Sequence, residues 1–114
     1  MKFIMKKLSL MLVVIALVAF FTSCTTKEYD NFQELNNGSS LQRGSIVYTF
    51  YGALPSDSLR GNQIGIVDGD KKHKVFEIKG FSSDEWIIEY YDVIMSIYCI
   101  YKANTVSEIP DELK

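Results

Sequence analysis

A small α+β domain, with one amphipathic helix packed on one face of a mostly antiparallel sheet of about four strands, is the fold the sequence predicts. Three observations carry it. Residues 46–51 alternate apolar side chains along an extended run, two further extended runs flank Asp68-Gly69, and after Gly80 the apolar spacing changes from two residues toward 3.6.

The first strand puts Ile46, Tyr48 and Phe50 on one side and Val47, Thr49 and Tyr51 on the other, and Gly52 and Pro55 end it. A turn-rich loop through Ser56-Asp57-Ser58 and Gly61-Asn62 leads to a second strand, Gln63 to Val67. A third strand, His73 to Lys79, follows across Asp68-Gly69-Asp70-Lys71-Lys72, a hairpin signal with a connection longer than the tightest two-residue turn.

Ser82-Ser83-Asp84-Glu85 matches a capping box. Beyond it Glu85, Glu89, Asp92 and Ser96 fall on one helical face, and Ile87, Tyr90, Tyr91, Ile94 and Met95 on the other. The spacing predicts a helix of about three and a half turns. From Ile97 to Tyr101 the polar face vanishes, which predicts a buried final strand. In the tail after Val106, Ile109 is placed to clip back onto the sheet.

Ahead of this domain lies a segment of another kind. Lys2, Lys6 and Lys7 precede an apolar run from Leu8 to Phe21 that is broken only by Ser9. The run is short for a membrane span, which needs about 20 apolar residues, and it has the order of a secretory signal. The Phe21-Thr22-Ser23-Cys24 sequence that follows resembles the lipobox of bacterial lipoproteins, with Phe21 where that family usually has leucine. The resemblance implies that residues 1–23 are removed, that Cys24 is the lipid attachment site, and that the mature protein is held on a membrane. Lys27, Glu28 and Asp30 resemble an interrupted form of the surface-export signal of Bacteroidota lipoproteins, and Thr25 is not the aspartate that favours inner-membrane retention. An outer-membrane address in the cell envelope is the expectation. Residues 24–40 are polar, end in Asn36-Asn37-Gly38-Ser39-Ser40, and predict a flexible tether ahead of a domain over 41–114.

Loss of the signal leaves nine of the 12 basic residues against 14 acidic ones. An acidic chain of this kind disfavours phosphate backbones, which sets nucleic acid aside as a partner. The only cysteines are Cys24 and Cys99, so lipid attachment leaves Cys99 a single thiol, expected to be inert in the last strand.

No residues form a catalytic motif. The serines lie outside any Gly-x-Ser-x-Gly elbow, and Glu85 and Glu89 share the expected solvent face of the helix. Asp68 and Asp70 begin like a calcium loop, but Lys72, His73 and Lys79 occupy its later ligand and glycine positions. His73, the only histidine, stands among Lys71, Lys72 and Lys74 and reads as a solvated strand-start residue. No metal or cofactor is expected, and the chain reads as a non-enzyme.

The mature chain carries 12 aromatic residues, more than so small a core readily hides, and one helix covers only one sheet face. The sequence therefore places a recognition surface for an envelope protein or glycan at Tyr51, Val75 and Tyr101, with Trp86 and Tyr90 at the helix edge. An immunity or inhibitor lipoprotein acting against an envelope toxin or hydrolase, and a structural subunit of an outer-membrane assembly, are the alternatives.

Overall fold

The computed structural model describes residues 29–114, so the export segment and Cys24 lie outside the described residues. Seven strands close into a barrel: β1 (Asp30–Leu35), β2 (Ser40–Arg43), β3 (Ile46–Ala53), β4 (Arg60–Val67), β5 (Asp70–Ile78), β6 (Trp86–Tyr91) and β7 (Cys99–Ala103). The order around the barrel is β1-β2-β3-β7-β6-β5-β4. Every neighbouring pair is antiparallel except the closing one, where Asp30, Asn31 and Phe32 of β1 run parallel to Gly65, Ile66 and Val67 of β4.

The α+β expectation is overturned. No α-helix occurs among the described residues, and the stretch expected to be helical is β6 followed by a loop. The capping-box residues do start a turn, in which Glu85 N and Trp86 N both donate to Ser82 O at 3.0 Å. The turn ends at once because β5 and β7 pair on either side of β6 and bury it on both faces. A strand covered on both faces reads as a nearly continuous apolar run. Trp, Ile and Tyr also favour a pleated surface over a helix.

Inside the barrel, Phe32, Leu41, Tyr48, Val67, Val75, Ile87, Tyr101 and Ala103 form one buried cluster. A second cluster lies outside the wall, where Ile78, Trp86, Ile88 and Ile100 are covered by Leu113, with Ile109 packed beside it. The C-terminal segment thus takes the covering role expected of a helix.

Two boundaries also change. Residues expected to be tether form β1, a short turn and the start of β2, anchored by the fully buried Phe32. The β4–β5 connection is the two-residue turn Asp68-Gly69, with φ of 49° and 71°, the left-handed pair that a tight hairpin requires.

Candidate ligand site at the barrel mouth

In β5 and β6 the residues of odd number face inward, and the register sets Val75 opposite Glu89 and His73 opposite Tyr91. This brings His73 Nε2 within 2.6 Å of Glu89 Oε2, with side chains only 9% and 8% exposed. β7 lies on the other side of β6, and from it the Tyr101 hydroxyl sits 2.9 Å from Glu89 Oε1. The same hydroxyl lies 2.6 Å from the carbonyl oxygen of Gly38, in the turn after β1. One phenolic proton therefore serves two acceptors. Burial first, and the Glu89 charge second, push the Tyr101 hydroxyl far above the usual phenol range.

His73 and Glu89 floor a cavity of about 270 Å³. Glu34, Asn37 and Gly38 form one wall, and Tyr91, Ile94 and Met95 the other. Glycine is needed at 38, where φ is +92° and a Cβ would lie 2.7 Å from Glu34 Oε1. The Tyr91 ring stacks on His73 at 4.4 Å and 10°, and the neighbouring Asp70 carboxylate raises the Tyr91 phenol. The backbone N–H of Lys72, 2.9 Å from Asp70 Oδ1, holds that carboxyl below the usual range, and the Tyr91 hydroxyl adds to the effect.

The opposite end of the barrel is stoppered. Arg43 lies over the Phe32 ring, 5.1 Å from its centroid, and pairs with Asp84 at 2.9 Å and Asp30 at 3.3 Å. Its Nη2 also donates to the Tyr48 hydroxyl at 3.1 Å, which in turn donates to Ser83 O at 2.8 Å. A second cavity near this end, lined by Ser45, Ile46, Val47, Asn104 and Thr105, has no titratable side chain in its lining. The chemistry of the barrel interior is gathered at the mouth.

The residues named from sequence do not share a face. Val75 and Tyr101 point into the barrel and are buried, so neither presents a surface to a partner. Trp86 points outward but is buried in the second cluster, with Tyr51 edge-on to it at 5.5 Å. Tyr51 is 37% exposed, and Tyr90, partly exposed, packs on Tyr98 at 4.5 Å. The closed barrel turns its inner face into core, and the tail covers part of the outer face.

His73 and Glu89, expected to be solvated, are the buried pair instead. The usable signal was parity: His73 shares the inward phase of Val75, whereas Lys72 and Lys74 take the outward one. Cys99 is half-buried in β7, where burial and the Glu89 charge push its thiol up. Val93, Ile94 and Ile97 are exposed in the loop beyond β6, beside the mouth.

Compared with protein-family models, curated proteins and solved structures, the chain shows no match. The geometry therefore carries the functional argument.

Proposed function

We propose that the protein is an envelope lipoprotein, anchored through Cys24 on the outer membrane, and that its barrel is a non-enzymatic binding module whose ligand enters the mouth. The observation that carries the binding assignment is the buried His73–Glu89 pair beneath an accessible cavity. Such a pair is poor value as packing, since well-fitted apolar side chains in its place are often as stabilising or more so. Polar groups converging on a cavity that is otherwise partly apolar are what small-ligand recognition requires. Support for the anchor is the order of charge, apolar run, small residues and cysteine in residues 1–24.

Two measurements test this. Cys24→Ala is expected to abolish palmitate labelling and leave a full-length precursor, and unchanged labelling would remove the anchor. A photo-crosslinking side chain at position 94, at the mouth, is expected to form adducts in cells, while one at position 51, on the outer wall, is not. Adducts at 51 alone would move recognition to the outer wall.

A further inference from the structure

Resting on the mouth as the binding site, we propose that its ligand is a small organic cation, an alkylammonium group carried on a short apolar body. Each part of the cavity fits one part of such a molecule. Glu34 makes no ion pair among the described residues, and its carboxylate lies against the Gly38 turn at the cavity wall. No lysine or arginine lines the cavity, and His73 is its only basic side chain.

His73 supplies the second polar contact. In the neutral tautomer whose Nε2 proton makes the 2.6 Å bond to Glu89, Nδ1 is an acceptor, and the cation requires that tautomer. Nδ1 has no hydrogen-bond partner among the described residues, although the side chain is nine-tenths buried. No buried side-chain nitrogen or oxygen there lacks a partner, so Nδ1 retains access to open space, and the cavity His73 lines provides it.

An ammonium group has three donors and no acceptor, matching the Glu34 carboxylate and the His73 Nδ1 lone pair. A carboxylate ligand would face Glu34 and Glu89 at short range, and a neutral ligand would gain no ion pair with Glu34. Ile94 and Met95 then cover the apolar body.

The test uses the full chain in detergent and three matched probes, n-butylamine, n-butanol and butyrate, with binding followed by NMR shifts of Tyr91, Met95 and the His73 ring. Butylamine is expected to shift all three residues saturably and to bind at least about tenfold more tightly than the other probes, the difference one charge-assisted hydrogen bond makes. Glu34→Gln, a change at an exposed wall residue, is expected to weaken butylamine by about tenfold and leave butanol unchanged. Butanol or butyrate binding as tightly as butylamine, or an unaffected Glu34→Gln, overturns the cation while keeping the mouth as a site. No shift at the mouth from any probe overturns the mouth itself.

Discussion

At the scale of single residues, the two tyrosines three positions apart on β3 do opposite work. Tyr48 is fully buried, packs on Phe32 with ring centroids 6.0 Å apart, and joins Arg43 to Ser83 through its hydroxyl. Tyr48→Ala is expected to cost about 3–5 kcal/mol, as large aromatic truncations in cores do, and to loosen the stopper as well. Tyr51 is 37% exposed and meets Trp86 edge-on, so Tyr51→Ala is expected to cost within about 1 kcal/mol. Urea unfolding of both variants checks this, and a silent Tyr48→Ala would place the barrel core elsewhere. Inward placement of Ile46 and Tyr48 was legible, because their parity is unbroken along the first half of β3. The His73–Glu89 pair was not, since these residues are sixteen positions apart in sequence and meet only through the register of β5 on β6.

At the scale of elements, β1 and β6 escaped sequence reasoning for opposite reasons. β1, Asp-Asn-Phe-Gln-Glu-Leu, buries only Phe32 fully, so its composition is that of a loop and its strand state is imposed by β2 and β4. β6 is apolar on both faces and imitates one side of a helix. β3, β5 and the end of β4 were recovered because alternation and the Asp-Gly turn are local signals. The final strand was recovered two residues early. The C-terminal segment bears a load its sequence barely advertises, for Leu113 closes the outer cluster over Ile78, Trp86, Ile88 and Ile100. Leu113→Ala is expected to cost about 2–5 kcal/mol. Equal melting temperatures for this variant and the parent protein would show that the tail is dispensable to the barrel.

At the scale of the whole molecule, the buried phenols link folding to alkaline pH. Burial raises Tyr48 and Tyr101 above the ordinary value of 10.0. Above that pH the unfolded chain releases these protons and the folded barrel retains them. The stabilisation is therefore complete below pH 10.0 and is lost as pH rises beyond it. A spectrophotometric titration of the seven tyrosines with parallel circular dichroism is expected to show two ionising only as the strand signal collapses. Smooth ionisation of all seven in an intact barrel would contradict their burial. The stoppered end also has a consequence for how the protein stands. β1 begins there, at Asp30, beside Arg43. Under the proposed anchorage at Cys24, six residue steps separate the lipid from that strand, a reach of at most about 22 Å. Under that anchorage the stoppered base is the end of the barrel from which the tether leaves, like the foot of a cup, and the mouth is the end farther along the strands. The apolar lip of Val93, Ile94 and Ile97 then stands at the rim, at the opposite end of the barrel from the strand start nearest the anchor.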